Sequence, residues 1–175
     1  KGHFLVALQQ ALGGVGVGFD PSYTGNRTTG DVEFVKAYFE PTELESMVDT
    51  IVCRNVLEHI KWPKEFLSHV FSSPRISEDA VAFFEVPNGK WIVESGVFTS
   101  VFYEHCSYFT PASLAAVFSE CGLDVLDVVE AFHPQYLWIL AKPGGAQETG
   151  RRARAETHRL DKGTVSGFAE AIDQK

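Results

Sequence analysis

Hydrophobic positions along this chain change period several times, and each change marks an element. Over residues 4–12, Phe4, Leu5, Leu8, Ala11 and Leu12 share one helical stripe, which Gly13-Gly14 ends. Val15, Val17 and Phe19 then alternate with glycines, predicting a strand with one apolar face and one face bare enough for close helix packing. Residues 23–31 are polar loop, and residues 32–39 alternate as a further strand that Glu40-Pro41 closes. Asp49 to Cys53 is a short apolar run rich in β-branched side chains, the pattern of a central strand buried on both faces. It breaks at Arg54-Asn55. A short amphipathic helix over residues 64–71 follows, turning Phe66, Leu67, Val70 and Phe71 inward and leaving His69 exposed. A turn at Ser77-Glu78-Asp79 leads to a strand over residues 80–88.

Residues 89–109 follow neither period and read as a long irregular segment, the kind that serves as a lid or binding loop. Thr110 and Pro111 then supply an N-cap and a first helical position, and that helix runs to about Cys121, where Gly122 stops it. Residues 123–132 and 135–141 predict a closing antiparallel strand pair joined through His133-Pro134. Strand and helix alternate through most of the chain, so the expected class is α/β, a mostly parallel sheet with helices on both faces. The core is expected over residues 1–143. Residues 144–175 turn to charged and small side chains and read as a polar linker and helical tail.

Composition narrows the function. Hydrophobic residues make up 45% of the chain, enough to supply a core. A net charge of −8 and a pI near 5.2 leave no basic face for a nucleic-acid backbone. No apolar run approaches the roughly 18 residues needed to cross a bilayer, and no secretory signal opens the chain. Cys53, Cys106 and Cys121 are widely spaced and odd in number, which suits reduced thiols and a cytoplasmic setting. Met47 is the only methionine, and the chain opens on a helix where an α/β domain usually opens on a strand. The expectation is a fragment lacking its first strand.

Ligands of open α/β sheets bind at the carboxyl ends of the strands. Three candidate groups fall there: Asp20, the turn carrying Arg54, Asn55, Glu58 and His59, and the irregular segment with Tyr103-Glu104-His105. An acidic residue ending a second strand suits the hydroxyls of a nucleoside ribose, although Asp20-Pro21-Ser22 also reads simply as a turn. Gly14, Gly16 and Gly18 imitate a dinucleotide loop but follow a helix, and the third glycine would fall on Phe19. The pairs Glu58-His59 and Glu104-His105 carry metal-ligand chemistry, but neighbours on a regular strand point apart, so no metal site is expected.

Taken in order, these pieces resemble a known family. Lys1-Gly2-His3-Phe4-Leu5 looks like the tail of the glycine-rich first motif of class I S-adenosylmethionine-dependent methyltransferases. Gly18-Phe19-Asp20-Pro21-Ser22 looks like their acidic second motif, and Cys53-Arg54-Asn55-Val56-Leu57-Glu58-His59-Ile60 like the motif after their fourth strand. Phe102-Tyr103-Glu104-His105-Cys106-Ser107-Tyr108-Phe109-Thr110 is similar to a segment of the sugar C-methyltransferase group, which methylates a carbon of nucleotide-linked deoxysugars. The resemblance covers roughly residues 1–143. It departs from the group in lacking the first strand, the leading glycines of the cofactor loop and a cysteine-rich zinc module.

The resemblance implies a Rossmann-like fold, S-adenosyl-L-methionine as cofactor and a small-molecule methyl acceptor. It implies that Gly2, Asp20, Pro21, Ala37, Tyr38, Asn55, Val56 and His59 bind the cofactor. Asp20 would hold the ribose, Ala37 and Tyr38 would lie by the adenine, and Asn55 and Val56 by the methionine moiety. His105 is the implied base, Tyr103 the donor to a developing enolate oxygen, and Glu104 the residue that orients His105. Two other readings stay open: a non-catalytic interaction domain of this fold, and a nicotinamide-dependent oxidoreductase, for which nothing marks a nicotinamide pocket. A homodimer is also open.

Overall fold

In the computed structural model, which describes residues 2–144, glycine spacing sets the packing of the first of two units; the division falls between Leu44 and Glu45. This unit holds α1 (His3–Leu12), β1 (Gly16–Phe19), β2 (Thr28–Thr29) and β3 (Val32–Val35). β1 runs parallel to β3, and β2 pairs antiparallel on the other side of β3. The bare glycine face of β1 receives α1 as expected. A Cβ on Gly18 would come within 2.9 Å of Leu5 Cδ2, so a side chain there would push the helix away. Leu5 and Val6 pack on a small core of Tyr23, Val32 and Phe34, in which the Tyr23 and Phe34 rings stack at 4.6 Å.

α1 forms where the helical stripe predicts it, but it contains no buried residue, and Leu12 is 68% exposed. A three-residue core covers only one turn of helix, and Leu5 and Val6 occupy it. β3 stops at Val35 and the chain bends at Lys36 and Ala37, short of the predicted strand end. The predicted loop contains β2, fixed by Phe34 N–H donating to Arg27 O at 2.7 Å and by an Arg27–Glu33 ion pair at 2.9 Å.

The second unit contains β4 (Val48–Arg54), α2 (Pro63–Phe71), β5 (Ile76–Pro87), α3 (Gly89–Glu94), α4 (Pro111–Glu120), β6 (Leu123–Ala131) and β7 (Tyr136–Pro143). The strand order is β4-β5-β7-β6. Alternation on β5 and β7 sends Ala82, Phe84, Val86, Leu137, Ile139 and Ala141 into one core, where Leu67 of α2 and Leu114 and Phe118 of α4 meet them. Phe84 and Phe118 meet edge to face at 5.0 Å. α2, α4 and the β6–β7 pair lie where the sequence places them, and Leu67 and Val70 of α2 are buried.

The mixed α/β class holds, but the sheet is parallel only between β4 and β5; β7 runs antiparallel to both β5 and β6. The inner strands of this sheet are β5 and β7, and β4, read from sequence as central, is not one of them. Among the described residues β4 pairs only with β5, and none of its side chains is fully buried. β5 also begins at Ile76, absorbing the predicted turn at Ser77-Glu78-Asp79. The segment after β5 is less irregular than expected. Asn88 is fully buried and caps α3, its side-chain oxygen accepting from Lys90 N–H at 3.1 Å and Trp91 N–H at 3.4 Å. The predicted tail lies outside the described residues. No described helix is long and apolar enough to cross a membrane.

Candidate functional site

Five of the sequence-nominated residues belong to the first unit. Gly2 stands at the start of α1 with φ 84°, and a Cβ there would sit 2.6 Å from the Phe34 ring. Only glycine meets both demands. Asp20 follows β1 directly, its N–H donating to Val35 O at 3.1 Å. Its Oδ1 accepts from Ser22 N–H and Ser22 Oγ, both at 2.7 Å, so the carboxylate shapes the turn through Pro21. Ala37 and Tyr38 follow β3, and Tyr38 is 78% exposed.

The remaining residues belong to the second unit and follow from how β4 ends. Asn55 adopts a left-handed conformation, φ 53°, which non-glycine residues seldom do. Its N–H donates to Glu85 O at 2.9 Å, and its amide Nδ2 donates to Glu85 Oε1 at 3.2 Å. Glu85 collects more partners. Its Oε1 accepts from Arg54 Nε and Nη2 at 3.0 and 2.8 Å, and its Oε2 accepts from Trp138 Nε1 at 2.7 Å. Glu85 is buried and so saturated with donors. Sequence reasoning passed over it; a lone carboxylate amid the apolar β5 run was the available signal.

After Asn55 the half-exposed Val56 leads into a 3₁₀ turn, Leu57–His59. Because Glu58 and His59 lie on that turn, the rule that neighbours on a strand diverge does not govern them. Glu58 points inward and is 2% exposed; its carbonyl accepts from Cys106 N–H at 2.7 Å and Ser107 N–H at 3.1 Å, tying the turn to the irregular segment. His59 Nδ1 lies 3.1 Å from the Glu104 carbonyl. The rings of His59 and His105 then meet edge to face at 4.8 Å.

His105 is the focus of this cluster. Phe102 and Tyr108 flank its ring at 5.1 and 5.6 Å, and its Nδ1 is buried without a hydrogen-bond partner. Burial, and next the charge of His59, lower its pKa from the ordinary histidine range, with Glu104 opposing. Burial raises the pKa of Glu58, whose Oε2 is likewise buried and unpartnered. The ring of His105 borders a pocket of about 80 Å³ with Trp91, Ser100, Phe102, Gln135 and Tyr136, room for the reacting end of a ligand rather than for a whole one.

The structure thus brings His59, the Glu104 backbone and His105 together. It does not bring Tyr103, which is 100% exposed, whereas Tyr108 stands against His105 and bonds its hydroxyl to Phe102 N–H and O at 3.0 and 3.3 Å. The Glu104 side chain is exposed. Tyr108 and Phe102 lay inside the quoted motif without being assigned a role.

Comparison with known proteins places the chain in a family. Residues 1–128 match a family described as a methyltransferase domain. The chain is 31% identical over 149 residues to the C-methyltransferase NovU of Streptomyces niveus, covering 80% of this chain and 35% of that protein. It therefore spans about a third of the length of that curated relative. Among solved structures, similarity extends to a complex of the Haloferax volcanii Trm112 methyltransferase activator with a putative methyltransferase. There the TM-score is 0.65 at 14% identity, over 82% of this chain and 79% of that one. It extends also to the Burkholderia thailandensis 1,6-didemethyltoxoflavin-N1-methyltransferase solved with S-adenosylhomocysteine, with a TM-score of 0.59 at 16% identity, over 80% and 66% of the two chains. At these identities the structural likeness concerns the fold.

Proposed function

This chain belongs to the class I S-adenosylmethionine-dependent methyltransferases, and from that premise we propose that it transfers a methyl group to a carbon of a small molecule, a nucleotide-linked sugar. The observation that carries the reading is His105: a histidine of lowered pKa, neutral near pH 7, on the wall of an aromatic-lined pocket. The kinship with NovU, named a C-methyltransferase, supports carbon as the acceptor atom.

The strand ends fit the cofactor by their chemistry. Asp20 supplies a carboxylate for ribose hydroxyls, with Pro21 shaping its turn, and Tyr38 and Ala37 supply surface for an adenine. Gly2, in the first unit, leaves bare backbone; in the second unit, taken by itself, Asn55 and Val56, with His59 beside them, would suit the methionine end. When bound, the cofactor supplies an electrophilic methyl group on a sulfonium sulfur. His105 would take the proton from the acceptor carbon beside a ketone, leaving that carbon with the electron pair that bonds the methyl group as the methyl–sulfur bond breaks and the cofactor departs as the neutral thioether. Tyr108, held against His105, is better placed than Tyr103 to steady the oxygen on which charge develops. Three free thiols support a reducing, cytoplasmic setting.

Calorimetric titration of S-adenosylhomocysteine tests the cofactor site: Asp20→Ala is expected to weaken binding by about tenfold, the worth of one charge-assisted hydrogen bond. His105→Ala is expected to keep that affinity and to lose methylation of a nucleotide-linked keto sugar. Unchanged affinity in the first variant, or full turnover in the second, would refute the corresponding role.

A further inference from the structure

We propose that Glu58, His59 and His105 form a binding site for a divalent cation of the zinc class. Each offers one ligand atom, and the three atoms lie within 4.8 Å of one another. Two orphaned atoms point to a ligand. Glu58 Oε2 and His105 Nδ1 are buried with no hydrogen-bond partner, although buried polar atoms are nearly always satisfied. Glu58 is moreover 2% exposed, and a carboxylate so placed calls for a cation or a donor.

The donor set suits the ion. One carboxylate oxygen and two imidazole nitrogens leave a fourth position open to water or to an acceptor oxygen, the ligand count of zinc sites that exchange ligands. His59 Nδ1 lies 3.1 Å from the Glu104 carbonyl; with that nitrogen donating to the carbonyl, Nε2 is the ring's ligand atom. Metal–ligand bonds of about 2.0–2.2 Å set ligand atoms about 3.3 Å apart, so the widest gap must close by about 1.5 Å.

This site shares His59 and His105 with the methyl-transfer reading, but metal binding is measured without turnover. Metal and proton transfer do compete, because a coordinated His105 has given its lone pair to the ion.

The test uses the 175-residue chain with Co²⁺ as the optical probe and Zn²⁺ as competitor. One Co²⁺ per chain, with the visible bands of a four-coordinate ion that vanish on adding one equivalent of Zn²⁺, is the expected result. Glu58→Gln and His59→Ala are each expected to lower the affinity about tenfold or more. His59→Ala alters an exposed ring, and its circular dichroism confirms an intact fold. Absence of those bands, bands unchanged in both variants, or a thiolate charge-transfer band that disappears in Cys106→Ser would each overturn the assignment.

Discussion

A single carboxylate organises the end of β4. Glu85 accepts two bonds from Arg54, one from Asn55 and one from Trp138, residues 31, 30 and 53 positions away along the chain. Removing it leaves Arg54, about a third exposed, and two further donors without their acceptor. Glu85→Ala is therefore expected to cost about 3 kcal/mol, the low end for breaking a buried pair because Arg54 regains some water, as urea unfolding would measure. The cysteines make a second prediction. Burial, with the Glu58 charge adding to it, pushes the Cys53 thiol up to about 12, while Cys106 is exposed. At pH 8 roughly one Cys53 in 10⁴ is a thiolate, so iodoacetamide should modify Cys106 and spare Cys53, as peptide mapping would show. Candidate residues at strand ends were legible because polar chemistry there interrupts an apolar run; Asp20, Asn55 and His59 stood out that way, whereas His105 stood out within a long irregular segment. Glu85 did not, since its partners are distant in sequence.

Elements whose signals are local were equally legible. α4 is the plainest: Thr110 Oγ1 accepts from Ser113 N–H at 3.2 Å, and Ser113 Oγ accepts from Thr110 N–H at 2.9 Å, a reciprocal cap. Thr110→Ala is expected to lower stability by about 1 kcal/mol, seen as a lower midpoint of thermal or denaturant unfolding. α3 escaped notice because six residues give too short a period to detect, and its start depends on Asn88, whose amide is held by Pro134 O at 2.9 Å. That β4 has one neighbour among the described residues escaped for another reason: an apolar β-branched run reports a strand, not the number of neighbours it has.

For the whole molecule, the sequence pattern conveyed class and family better than arrangement. The α/β class and the methyltransferase kinship were readable from strand-end motifs in the right order. The division between Leu44 and Glu45 was not, because it depends on how contacts are distributed and no linker composition marks it. The acidic charge of −8 gave no hint of structure, only of partners to exclude. Trp138 donates its indole N–H to the carboxylate that also holds Asn55 and packs edge to face on Phe83 at 5.6 Å, while Trp62 is exposed and Trp91 borders the pocket. The molecule thus carries its own fluorophore wired to the residue nominated for the cofactor's methionine end. Occupancy at Asn55 should register as a change in the emission of that indole, and Trp138→Phe should silence it.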